Sequence, residues 1–110
     1  MQDTRLIAID LDGTLLDSRR RVSPGAVEAI GEAVSAGIEV CLASGRAVNT
    51  ILPFAAELGL VGPVVSCNGA YILGSDHQVV SHIRLGRDAA ERIIGYGERH
   101  GLHTNVYAGD

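Results

Sequence analysis

Two carboxylates two residues apart, Asp10 and Asp12, follow directly on an apolar run in the stretch "LIAIDLDGTLLD", Leu6 to Asp17. A carboxylate at a strand end can ligate a hard cation or attack as a nucleophile. In a straight strand, residues i and i+2 share a face about 6.6 Å apart, and a turn beginning at Asp12 would shorten that span. Two such groups are stable together only with a metal or a shared proton between them. Gly13 lets the backbone turn sharply or approach an anion closely, and Thr14 can steady the turn through its hydroxyl. Taken alone, a pair of this kind reads more readily as a capped acidic loop.

A second polar cluster is "ASGR", Ala43 to Arg46. Ser44 offers a hydroxyl and Gly45 an unhindered N–H. A helix starting just after them would add its own free N–H groups, which together suit a phosphate. Alone, a strand–Ser–Gly–helix junction is often only a turn. Arg46 either grips an anion through its fork or lies along the helix with its charge in water. A third cluster is "SCNGAY", where Asn68-Gly69 is a common turn pair. Asn68 lines a pocket or only shapes the loop.

These clusters need elements to bring them together. Leu6 to Ile9 has the continuous apolar pattern of a buried parallel strand. Ser23-Pro24 opens a helix, since Ser caps and Pro suits the first turn. Val27, Ile30 and Val34 continue it at helical spacing, and Gly37 stops it. "IEVCLA", Ile38 to Ala43, is the second strand. A second helix spans about Ala47 to Leu58, with Pro53 marking a kink or a later start. The third strand begins near Val64. Residues 70–73 and 79–83 form a hairpin around "GSDHQ". A helix from about Arg87 to His100 follows, and "LHTNVYA" reads as a last strand. Alternation of strand and helix predicts an α/β fold, a Rossmann-like parallel sheet with helices on both faces. Ligands in such folds bind beyond the carboxyl ends of the strands. Asp10, Ser44 and Asn68 each fall just past a strand end. On that rim they suit in-line attack on phosphorus by Asp10, with Ser44 and backbone N–H groups steadying the phosphoryl oxygens. Asp12 would donate a proton to the leaving alcohol and later take one from water.

The rest of the chain bounds this reading. Its 110 residues make one modest domain, 46% hydrophobic and 20% charged, an ordinary globular composition. The net charge of -4 disfavours a nucleic-acid surface, which wants clustered basic residues. The run Arg19, Arg20 and Arg21 is short and reads first as a solvated loop. There is no apolar stretch of membrane-spanning length and no signal-peptide pattern. Cys41 and Cys67 lie in apolar contexts and suggest two buried free thiols in a reducing cytoplasm. His77, His82, His100 and His103 show no metal spacing, and Tyr71, Tyr96 and Tyr107 are too scattered for base stacking.

"DLDGTLLD", "LASGR" and "VSCNGAYI" together resemble the haloacid dehalogenase-like hydrolases, and more narrowly their Cof-type branch, whose cap domain is inserted after the third core strand. The resemblance implies that residues 1–83 are a partial core, including the hairpin leading to the cap, and that 84–110 begin an α+β cap. It implies Asp10 as nucleophile and Asp12 as acid/base, with Mg2+ held by the Asp10 carboxylate and the Asp12 main-chain carbonyl. Ser44 would bind the transferred phosphoryl group, flanked by Gly45 and Gly13, and Arg46 and Asn68 would face the substrate. The implied activity is a phosphatase acting on sugar phosphates, phosphoglycolate or related metabolites. The family also uses a Lys and a later Gly-Asp run, both after the cap. This chain contains no Lys, and Gly109-Asp110 comes at the wrong stage of the fold for that role. A non-catalytic α/β piece that binds anions weakly or self-associates is therefore the rival reading, the missing half being supplied by a second copy or by more of the same protein. A receiver-like phospho-accepting domain is a third, disfavoured by Gly13-Thr14 directly after the acidic pair.

Overall fold

The computed structural model describes residues 3–108. Strands β1 (Leu6–Ile9), β2 (Glu39–Ala43) and β3 (Val64–Ser66) alternate with helices α1 (Pro24–Ser35) and α2 (Val48–Glu57). β4 (Tyr71–Leu73), β5 (Val79–His82) and α3 (Arg87–Arg99) complete the order. The five strands form one sheet in chain order. β1, β2 and β3 run parallel, while β4 and β5 join antiparallel as the expected hairpin. The sheet is therefore mixed, because the four-residue β3–β4 and five-residue β4–β5 connections can reverse a strand but cannot make a parallel crossover.

Local sequence explains the helix ends. Ser23 accepts a hydrogen bond from the Ala26 N–H at 3.2 Å and Pro24 occupies the first turn of α1. α2 starts at Val48, with Ala47 still extended, and runs through Pro53 without ending. Ile30 from α1 and Ile51 and Ala55 from α2 share one core cluster with Val40, Leu42 and Val64 of the sheet. Leu11 and Leu16 join the same cluster and so anchor both ends of the turn that carries the acidic pair.

Two expectations are corrected. β1 is the edge strand of the sheet, so Leu6 is half exposed and only Ile7 and Ile9 pack on the core; an apolar run reports a buried strand only when both neighbours exist. "LHTNVYA" is irregular and exposed, not a strand. It pairs with neither edge of the sheet, and its backbone contact with α3 is Leu102 N–H to the Gly97 carbonyl at 2.9 Å, closing the helix. The Gly109-Asp110 pair lies outside the described residues.

Candidate active site

The register places the three clusters on one rim. The last β1–β2 pair is Ile9 with Leu42, and the last β2–β3 pair is Ala43 with Val65. Asp10 and Ser44 therefore leave adjacent parallel strands, and Asn68 follows the third by two residues. Leu11 is fully buried while Asp10 and Asp12 are exposed, so both carboxylates point away from the core as the i, i+2 spacing requires.

The acidic turn is held by its own backbone. The Leu15 N–H donates to the Asp10 carbonyl at 3.1 Å and the Leu16 N–H to the Leu11 carbonyl at 2.9 Å. Gly13 has φ +78°, a left-handed conformation that a side chain would strain. Thr14 Oγ1 donates to Asp10 Oδ2 at 3.3 Å, the steadying contact its position suggests. Asp12 is engaged differently: Arg46 Nε and Nη2 donate to its two oxygens, each at 2.7 Å. The Arg46 fork holds the Asp12 carboxyl below the usual carboxylate range and raises the guanidinium's own pKa in turn.

The loops after β2 and β3 are sewn together. The Asn68 N–H donates to the Ser44 carbonyl at 3.2 Å and the Cys67 N–H to the Arg46 carbonyl at 2.9 Å. Ser44 is buried, and its Oγ accepts from the Arg46 N–H at 3.2 Å. A Cβ on Gly45 would sit 3.0 Å from Asn68 Oδ1, so the Asn68 amide packs directly on Gly45. The structure thus joins Asp12, Ser44, Gly45, Arg46 and Asn68 in one network, with Asp10 and Gly13 on the adjoining turn. Asp12 and Arg46 line a recess of about 360 Å³ together with Arg20, Ala47, Thr50 and Tyr107. Arg20, Thr50 and Tyr107 carry no motif signal. Their approach depends on how the 12–22 loop, α2 and the 104–108 segment fold over the rim.

A divalent cation finds hard oxygen donors here, the Asp10 carboxylate and main-chain carbonyls, which suit Mg2+ in type. They are few. Among the described residues no group of three or more His, Cys, Asp or Glu could hold a metal, and the Asp12 carboxylate is occupied by Arg46. The His82 ring stands edge-on to Tyr71 with centroids 4.9 Å apart, and the His100 ring lies 4.2 Å from that of Tyr96. Cys41 and Cys67 are free thiols, Cys41 buried and Cys67 only half-buried. Among the described residues no helix is long and apolar enough to cross a membrane.

The arrangement is a polar rim at the carboxyl ends of the parallel strands of an α/β sheet, and sequence comparison gives its family. Residues 7–110 match the family of haloacid dehalogenase-like hydrolases, and the chain belongs to that family. It is 42% identical over 108 residues to the pyridoxal phosphate phosphatase YbhA of Escherichia coli K12, covering 97% of this chain and 40% of that protein. It is 35% identical over 105 residues to the phosphatase YwpJ of Bacillus subtilis strain 168, covering 96% of this chain and 37% of that one. A solved haloacid dehalogenase-like hydrolase from B. subtilis superposes with a TM-score of 0.81 at 36% identity, over 89% of this chain and 34% of the other. The chain thus spans about two fifths of the length of the curated relatives it matches.

Proposed function

We propose that the protein carrying this chain is a Mg2+-dependent phosphatase of the Cof-type branch, hydrolysing small phosphate monoesters such as sugar phosphates or phosphoglycolate-like acids. The observation that carries the reading is the gathering of Asp10, Asp12, Ser44 and Asn68 at the carboxyl ends of three adjacent parallel strands. The phosphatase names of the relatives support it. In this reading residues 1–83 belong to the core and 84–110 begin the cap.

Asp10 attacks phosphorus in line. An O–P bond forms on its carboxylate as the ester P–O bond breaks, and protonated Asp12 gives its proton to the leaving oxygen. Ser44 Oγ and the N–H of Gly45, with Gly13 opposite, face the equatorial oxygens. Asp12, now ionised, takes a proton from water as that water displaces Asp10 from phosphorus. Inorganic phosphate leaves and both carboxylates return to their first states. Paired with Arg46, Asp12 is in the proton-accepting form; it must gain a proton before the first step. Asn68 borders the substrate's entrance. Mg2+, held through Asp10 and the Asp12 carbonyl, would supply charge neutralisation between carboxylate and phosphate.

The lysine that the resemblance asks for is absent from these 110 residues, so it would come from more of the same protein, and the further carboxylates from there or from a second copy. The partner is a small phosphorylated metabolite, with neither nucleic acid nor membrane, and two free thiols suit a cytoplasmic setting. The test is phosphate release from a panel of small esters, with Mg2+, with chelator, and with Asp10→Asn. Mg2+-dependent release that disappears in the variant is expected. Release unaffected by chelator or by Asp10→Asn would overturn the reading.

A further inference from the structure

We propose that Arg46 is a positioning residue for Asp12, its guanidinium fixing the carboxylate that transfers the proton instead of gripping the substrate's phosphate. This rests on the phosphatase reading above and adds to it a residue with a distinct task. The geometry is specific. Both Asp12 oxygens are taken by two different nitrogens of one guanidinium, each at 2.7 Å, across 34 residues of sequence. A forked pair of this kind sets orientation as well as distance. The other side of the guanidinium is also held, with Cζ 5.3 Å from the centre of the Phe54 ring on α2, within cation–π range.

The Arg46 backbone is fixed too. Its N–H donates to Ser44 Oγ and its carbonyl accepts from Cys67. Arg46 thus ties the exits of β2 and β3 to the acidic turn after β1. Asp12 needs such a tether. Its side chain is 53% exposed, against 23% for Arg46, and it precedes a glycine turn. Left free, it would sample several rotamers in water. An arginine meant to receive phosphate would keep its fork open, and this one is spent on Asp12.

The experiment uses the full-length protein and compares Arg46→Ala and Arg46→Lys with Asp12→Ala and the double variant Asp12→Ala/Arg46→Ala. Two substrates separate the roles: a sugar phosphate, whose alkoxide must be protonated as it leaves, and p-nitrophenyl phosphate, whose phenolate need not be. Because a general acid contributes about 100-fold or more, Arg46→Ala should lower kcat for the sugar phosphate by about that factor, with KM little changed. The aryl ester should lose less than about tenfold under the same comparison. Arg46→Lys should recover only part of the loss, since an ammonium cannot fork, and it carries the test if Arg46→Ala fails to fold. Adding Arg46→Ala to Asp12→Ala should cost nothing further. A parallel rise in KM for both esters, or full additivity in the double variant, would overturn the positioning role and make Arg46 a phosphate ligand. Absence of turnover by the unmodified folded protein would overturn the phosphatase reading itself, and this role with it.

Discussion

Asp17 shows how a single carboxylate shapes the site loop. It accepts the N–H of Arg19 at 2.8 Å and of Arg21 at 2.9 Å, and its own N–H donates to the Arg21 carbonyl. These bonds, the one from the Arg21 N–H first, lower its pKa from the ordinary value. A depressed carboxylate contributes stability that is complete above the unfolded pKa and is lost as pH falls through the folded one. Acidification from neutral pH to below the ordinary aspartate range should therefore loosen the 17–21 loop in the parent and have less effect in Asp17→Asn. Identical acid melting of the two would contradict this. Asp10, Asp12, Ser44 and Asn68 were legible in sequence as rim residues because motif and strand end coincide. The pairing of Arg46 with Asp12 was not, since the two alternatives for that arginine differ only in where its side chain turns. Nor was the Phe54 face beneath it, two helical turns away in an ordinary apolar pattern.

At the scale of elements, the caps, the hairpin and the helix order follow from local chemistry, and the errors come where pairing is decided at a distance. Periodicity does not reveal that β1 stands at the sheet edge, and the pattern of 102–108 does not by itself supply a partner strand. Packing between elements gives sharp expectations. A Cβ on Gly62 would lie 2.5 Å from the Val40 carbonyl oxygen, where the α2–β3 connection crosses β2 and neither backbone can yield cheaply. Gly62→Ala should cost about 1–3 kcal/mol in denaturant melts, and an unchanged midpoint would show that the crossing is looser than described. Ile51, with no exposed surface, locks α2 onto the sheet; its truncation to Ala should cost about 2–5 kcal/mol. The thiols divide in the same way. Burial, and then the charge of Glu39, raises the Cys41 pKa, so iodoacetamide should modify half-buried Cys67 well before Cys41 in the folded chain. Equal rates would mean that β2 opens readily.

The molecule as a whole is extended. Its radius of gyration is 16.6 Å, where a compact domain of this length would have about 13 Å. Leu6, Val80, Ile83, Leu85 and Ile93 are more than half exposed or nearly so, and β1 offers an unpaired edge beside the acidic turn. Unpaired parallel edges invite association. The 110-residue chain on its own should therefore self-associate as its concentration rises, and Leu6→Lys should shift sedimentation toward the monomer. A chain that stays monomeric throughout would show that this face tolerates water. In the proposed mechanism Asp10, Asp12 and Ser44 would supply the nucleophile, the proton carrier and the phosphoryl seat, while among the described residues no group of three or more His, Cys, Asp or Glu could hold a metal. Asp10 receives the phosphoryl group in the proposed mechanism. Its most direct test is to quench the full-length protein in acid during turnover of a phosphate ester and map the phosphorylated peptide by mass spectrometry, with hydroxylamine cleavage to identify an acyl phosphate. By that mechanism, a hydroxylamine-labile phosphoryl group is expected on Asp10 and absent in Asp10→Asn. A phosphoryl group on Ser44, or turnover by Asp10→Asn at the parent rate, would contradict it.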